Sequence, residues 1–212
     1  MEITYIGHAC FVIKLSTGLE ICFDPYSHGS VPGLSDADAV ADVVYCSHSH
    51  RDHNDSGSVR SPEDPYSGDM PEVQIIRTFH DDVGGSARGR NNITIINDKG
   101  SKIVHMGDIG CDLTEEQITL LKGCDLLMIP VGGFYTIDSK KAFEQCCQID
   151  PKVVIPMHFS GAGFGYDVIS GREGFADLIR AEGMRQIVDS GSFAGSLPEG
   201  KTLLLMDPAR KM

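Results

Sequence analysis

No run of about 18 apolar residues occurs anywhere in the sequence, so no segment has the composition of a membrane-spanning helix. The beginning, Met1-Glu2-Ile3-Thr4-Tyr5, lacks a basic cluster followed by an apolar stretch, and no secretory signal is expected. Long basic runs are missing too. Lys and Arg number 18 against 30 Asp and Glu, a formal charge of −12, and this disfavours a nucleic-acid partner, whose backbone is gripped by clustered cations. The acidity itself reads as a solubility feature. The cysteines, at positions 10, 22, 46, 111, 124, 146 and 147, are odd in number and have no framework spacing. Several fall in apolar runs such as Cys10-Phe11-Val12-Ile13, where a free thiol behaves as a small hydrophobe. Cys146 and Cys147 are adjacent on an expected helix and point in different directions. Reduced thiols and the missing signal together make a cytoplasmic location the expectation. There is also no Gly-x-Ser-x-Gly nucleophile elbow and no visible internal repeat.

What is present suits one globular domain over residues 1–212, with an apolar fraction of 41%. The first part reads as short strands: Ile3 to Ile6, Cys10 to Leu15 and Leu19 to Phe23 form a meander broken at Gly7-His8 and Thr17-Gly18. A Gly-, Pro- and Asp-rich loop from Asp24 to Asp38 follows. Val43 to Cys46 and Val73 to Phe79 then read as buried strands. Ile93 to Ile96 and Ile103 to Met106 flank Asp98-Lys99-Gly100 as a hairpin. Asp55 to Pro71, with three prolines, reads as loop.

Beyond position 113 helices alternate with strands. Thr114 and Gln117 form a capping box, Leu113 and Ile118 a hydrophobic staple, and Gly123 ends that helix. Asp138 or Ser139 opens a second helix that must stop before Pro151, and Ser170 with Glu173 caps a third that runs to Gly183. Strands are expected at Leu126 to Ile129, Val153 to Ile155, near Ile187-Val188 and at Leu203 to Met206. Mixed strands followed by α/β alternation, without a linker, imply a two-sheet α/β core flanked by helices.

The chemistry concentrates in His48-Ser49-His50-Arg51-Asp52-His53. Four potential ligands fall within six residues, directly after the strand ending at Cys46. Imidazole and carboxylate suit Zn, Mn and Fe. Eight histidines in 212 residues would rarely place three in one hexapeptide by chance. Other polar residues sit just past apolar strands in the same way: Asp24, His80, Asp108 and His158. Strand ends form one rim of a sheet core, a recurring place for active sites.

The order Asp24, His48-x-His50-x-Asp52-His53, His80, Asp108, His158 resembles the five-motif signature of the metallo-β-lactamase fold superfamily. Ile6-Gly7-His8, Pro130-Val131-Gly132-Gly133 and Pro156-Met157-His158 are similar to its ascorbate-6-phosphate-lactonase-like branch. The resemblance implies an αββα four-layer sandwich of two mixed sheets with the metals at one edge. It implies His48, His50 and His80 on one divalent ion, Asp52, His53 and His158 on a second, Asp108 bridging them, and Asp24 orienting the site. Two close cations hold a bridging water and make hydroxide near neutrality, so no protein nucleophile is needed. Asp52 and Asp108 are then the catalytic carboxylates.

The expected function is hydrolysis of a small ester, lactone or phosphoester, with room for an anionic substrate. The alternatives are a nuclease or phosphodiesterase of the same superfamily, a flavodiiron-type oxidoreductase, and a non-catalytic metal-binding protein. Charge weighs against the nuclease, the absence of a flavodoxin-like domain against the oxidoreductase, and a complete ligand set against the last. No membrane partner is expected, and homo-oligomerisation is left open. His8 either orients a ligand or is a hydrogen-bonded turn residue, His105 is structural by strand parity, and His28 belongs to a loop. Arg88 and Arg90, on a loop that Gly84, Gly85 and Gly89 make mobile, are candidates to clamp a phosphate or carboxylate. Gly132 to Thr136 is a candidate pocket wall, and Asp138 there a helix cap.

Overall fold

The structure, a computed structural model, describes residues 1–183, 185–189, 193–194 and 197–212. Strands β1 (Glu2–Gly7), β2 (Cys10–Lys14) and β3 (Glu20–Phe23) form the expected antiparallel meander, and β4 (Val43–Tyr45) adds parallel to β3. With β11 (Phe193–Ala194) they make a five-stranded sheet in the order β11-β1-β2-β3-β4. The second sheet contains β5 (Glu72–Phe79), β6 (Arg90–Asp98), β7 (Ser101–His105), β8 (Leu126–Pro130), β9 (Val153–Met157), β10 (Gln186–Asp189) and β12 (Thr202–Leu205). Its order is β10-β12-β9-β8-β7-β6-β5. Both sheets are mixed, and together with the helices they give the expected α/β architecture.

Local chemistry explains most boundaries. The β6–β7 hairpin turns on Lys99 (φ 47°) and Gly100 (φ 85°), two left-handed residues that match the twist of the strands. Helix α1 (Glu115–Leu121) has the full capping box: Thr114 accepts from the Gln117 N–H, and the Gln117 side chain accepts from the Thr114 N–H. Helix α2 (Ser139–Ile149) starts on Asp138, whose carboxylate accepts from Lys141 N, and ends on left-handed Asp150 before Pro151. Cys146 faces the core and Cys147 solvent, as alternation around a helix requires. Helix α3 (Glu173–Glu182) departs from expectation at its start. It has no side-chain cap: Arg172 occupies the N-cap position, and Ser170 lies outside the helix with its N–H bonded to Gly132 O. Gly183 ends it in the left-handed conformation.

Two strands are less buried than their composition suggests. β4 is half-buried throughout, and β5 buries only Ile76 and Thr78, because each is a sheet edge. The main core lies between the sheets, where Tyr5, Phe11 and Phe23 face Ile96, Met128 and Ile155, on the side of the larger sheet from which His105 stacks on Phe23. The outer face of the five-stranded sheet, with Ile6, Cys10 and Cys22, is covered by Tyr26, Val31, Leu34 and Ala37 of the long loop after β3. Helices α1, α2 and α3 all fall on connections between strands of the larger sheet. No helix among the described residues is long and apolar enough to cross a membrane.

One consequence of this topology positions the site. β1, β3 and β4 run in one direction, and β5, β7, β8 and β9 share one direction in the other sheet. The residues that follow these strands therefore emerge together along one rim. Leu127, in β8, is fully buried, and Leu127→Ala is expected to lower the unfolding free energy by about 2–5 kcal/mol. Thr114→Ala, which removes only the cap, should cost about 1 kcal/mol, and chemical denaturation compares the two.

Candidate metal centre

Asp108 is the focus of the rim. It is 1% exposed, and its Oδ2 lies 3.0 Å from His53 Nε2, 3.1 Å from His158 Nε2, 3.3 Å from His80 Nε2 and 3.9 Å from His48 Nε2. These imidazoles arrive from three separate stretches of chain: the turn after β4, the end of β5 and the end of β9. Asp108 itself follows β7 through Met106-Gly107. A glycine is required at 107: its φ is +56°, and a Cβ there would fall 2.3 Å from Asn91 Oδ1 and 2.4 Å from Ser47 Cβ. That Asn91 oxygen accepts from Asp108 N (2.9 Å), while the Asn91 amide donates to Met106 O and Thr78 Oγ1. Asn91 thus fixes the backbone that carries Asp108.

The remaining candidates gather in two groups within ligand reach. His48, His50 and His80 form one, and Asp52, His53 and His158, joined by His8, form the other. Asp24, His48 and His53 are also close together, but Asp24 is already engaged. Its Oδ2 accepts from His53 Nδ1 (2.8 Å) and from Ser47 Oγ (2.5 Å), and its Oδ1 from Ser47 N (2.7 Å). Ser47 Oγ also contacts His48 Nδ1 at 2.9 Å. One buried carboxylate therefore sets the ring of His53 directly and that of His48 through Ser47, and leaves each Nε2 aimed at the centre.

His8 stands between the two roles considered for it. Its Nε2 is 3.2 Å from Asp52 Oδ2, its ring centroid is 4.0 Å from that of His158, and its carbonyl accepts from His158 N and from Tyr5 Oη. Three site residues carry left-handed backbone at strand ends: His8 (φ 59°), Asp24 (φ 44°) and His158 (φ 52°). Such conformations cost about 1–3 kcal/mol each and persist where the surroundings over-determine them. His105 is structural: its Nε2 bonds Ala9 O, Gly107 N donates to its Nδ1, and its ring stacks on Phe23. His28 sits on the exposed loop beside Asp36.

Burial, reinforced by neighbouring rings, lowers the His8 imidazole to about 4 and His48 to about 3, so both are neutral at pH 7 with lone pairs to offer. Burial likewise lowers His50. Burial would raise Asp52, but the hydrogen bond from His8 and the nearby His53 outweigh it and hold the carboxyl well below its ordinary range. Asp108 is also held down against burial, by His158 and His53. His53 is raised despite burial because it lies between Asp108 and Asp24, where a positive charge is favoured.

The donor set fits divalent cations. His53 Nε2 is close enough to Asp108 for an ion pair yet out of line for a hydrogen bond, and Asp108 Oδ1 has no hydrogen-bond partner. A buried carboxylate oxygen facing several imidazole nitrogens, some neutral, is poorly served by protons alone and well served by a metal between them.

In front of this cluster lies a pocket of about 280 Å³, lined by His50, Asp52, Arg88, Tyr135, His158 and Tyr166 among others. A larger cavity of about 530 Å³, near Leu15, Asp125 and Lys152, shares no residue with the cluster. Arg88 lies over the rings of Tyr135 (5.6 Å) and Phe134 (6.0 Å), so the segment after β8 does form a wall. Its glycine-rich loop is held by hydrogen bonds. Buried Asp81 accepts from the backbone N–H groups of Val83, Gly85, Ala87 and Arg88 and ties the turn together. Arg90 is the first residue of β6 and lines a neighbouring groove instead. Ser47, Asp81, Asn91 and Tyr166 escape the sequence reading. Tyr166 Oη donates to Ser30 O (2.6 Å) and lies 3.2 Å from Asp52 Oδ2. For Asp81 a local signal exists: Asp followed by a glycine-rich run suggests an Asx turn.

Comparison with known proteins relates the chain to a family and a fold. The family model described as beta-lactamase superfamily domain matches residues 2–158. A metal-dependent hydrolase from Carboxydothermus hydrogenoformans is 26% identical over 193 residues, which cover 76% of this chain and 85% of that protein. The structure of a candidate Zn-dependent hydrolase of the metallo-β-lactamase superfamily from Thermotoga maritima superposes with a TM-score of 0.72 at 27% identity, covering 97% of each chain. A metallo hydrolase from Ignicoccus hospitalis shares the fold at a TM-score of 0.62 and 19% identity, covering 85% of this chain and 91% of that one.

If Asp24 orients His53 and His48, Asp24→Ala should weaken divalent-metal affinity by about 10–100-fold while the far-ultraviolet circular dichroism stays native. Competition with a chromogenic chelator measures it. Unchanged affinity would remove Asp24 from the centre.

Proposed function

This chain belongs to the metallo-β-lactamase superfamily, and from that premise we propose that it is a dinuclear metal-dependent hydrolase of small esters, lactones or phosphoesters. The observation that carries this reading is the Asp108 carboxylate with four imidazole nitrogens within 3.9 Å, facing a pocket. His48, His50 and His80 would hold one divalent ion, Asp52, His53 and His158 the other, with Asp108 shared between them. Zn, Mn and Fe all suit these donors. Such ions, once bound, supply Lewis acidity that lowers the pKa of water and polarises the substrate oxygen.

The chain's own residues divide the remaining work. Asp24 and Ser47 fix the ring orientations of His53 and His48. His8 and Tyr166 both reach Asp52 Oδ2 and hold that carboxylate ionised on the pocket wall, where it can take up a proton from the attacking water and return it to the leaving group. Arg88, over the Tyr135 ring at the same wall, offers paired N–H donors to an anionic oxygen of the substrate. The edge-to-face rings of Phe134 and Tyr135 form an apolar edge for the rest of the molecule. A pocket of about 280 Å³ favours a small molecule over a polynucleotide, in line with the acidic charge.

A panel of lactones, phosphodiesters and thioesters, assayed after reconstitution with Zn, Mn or Fe, tests the reading. At least one class should be turned over in a metal-dependent way, and Asp108→Ala should lose about 100-fold or more of that turnover while remaining folded. Wild-type turnover by Asp108→Ala would contradict the role given to this carboxylate.

A further inference from the structure

Beside the metal pocket runs a second groove of about 350 Å³, lined by Ser49, Arg77, Arg88, Arg90 and Asn92, with His48 and His50 at its inner end. His50 and Arg88 line both spaces, so the two are continuous. The register of the β5–β6 pair explains why arginines converge there. Arg77 lies opposite Asn92 and Phe79 opposite Arg90, so all four side chains project from one face of the ribbon. Arg77 and Arg90 are diagonal neighbours on that face, a spacing that long side chains bridge easily.

Their electrostatic setting is unusual for this protein. The chain has 30 acidic residues, and most of its described arginines find one: Arg60 pairs with Asp38, Arg180 with Asp177 and Arg185 with Asp150. Among the described residues, no carboxylate lies within ion-pair distance of Arg77, Arg88 or Arg90. Like charges clustered without counter-charge repel each other, and a bound anion relieves that repulsion. Three guanidiniums match a phosphate dianion better than a single carboxylate, and Ser49 and Asn92 add neutral donors for its remaining oxygens.

We propose that this groove is a phosphate subsite, so that the substrate has two parts: a hydrolysable group at the metal centre and a phosphate held by Arg77, Arg90 and the outer side of Arg88. The proposal rests on the hydrolase reading only for the position of the reacting group. Phosphate binding itself is independent of turnover, which keeps the two failures apart.

Inorganic phosphate, titrated calorimetrically into the full-length protein as isolated and again with divalent ions chelated, is the probe. The wild type should bind it saturably in both states, and Arg77→Ala/Arg90→Ala should weaken binding about tenfold or more. Both positions are exposed strand residues, so the variant should fold, and its circular dichroism checks that. The charge-matched variant Arg60→Ala/Arg180→Ala should bind as the wild type does. No saturable binding by the wild type, binding by Arg77→Ala/Arg90→Ala within about twofold of wild type, or equal weakening in the control would overturn the subsite.

Discussion

Burying the Asp108 carboxylate among neutral and charged imidazoles, with no described Lys or Arg beside it, would cost about several kcal/mol if nothing cationic shared the space. Much of the surrounding structure is arranged to meet that cost. Parallel strand directions in both sheets bring the imidazoles to one rim, and left-handed turns at His8, Asp24 and His158 aim the chain back across it. Asn91 secures the backbone of Asp108, and Asp24 holds one proton-bearing ring directly and a second through Ser47. The strain and the buried charge are both understandable once cations complete the centre.

A second layer of organisation surrounds that core. Asp52 is reached by His8 from the first strand end and by Tyr166 from the segment after β9, so widely separated parts of the chain meet on one carboxylate. Asp81 closes the turn after His80 with four backbone hydrogen bonds and thereby presents Arg88 to the pocket. The same turn leads into β6, whose first residue, Arg90, faces the neighbouring groove. Ligand placement and anion recognition are thus coupled through one short segment.

Much of this is legible in the sequence, because a polar residue just past an apolar run marks a strand end whichever strands later pair. The His48 to His53 cluster, His80, Asp108 and His158 stand out in that way, as do the meander, the Lys99-Gly100 hairpin and the Thr114 capping box. What is not legible depends on contacts remote in sequence. Ser47 and Asn91 look like ordinary strand-flanking residues until Asp24 and Asp108 are brought to them. Ser170 resembles a helix cap, yet the N-cap falls two residues later, on Arg172, and α3 starts without a side-chain cap. The exposure of β5 follows from its place at the sheet edge, which no local pattern encodes. The cysteines are free and mostly buried, and burial pushes Cys46, Cys124 and Cys146 up to about 12, as expected of inert core thiols.

The central claim is that the two ligand groups around Asp108 are two metal sites with a shared carboxylate. Elemental analysis of protein reconstituted with Zn, Mn or Fe and freed of loosely bound ions tests it most directly. The account predicts a plateau near two equivalents per chain, since His48, His50 and His80 form one set and Asp52, His53 and His158 another. A plateau at one equivalent, unchanged by excess metal, would contradict it.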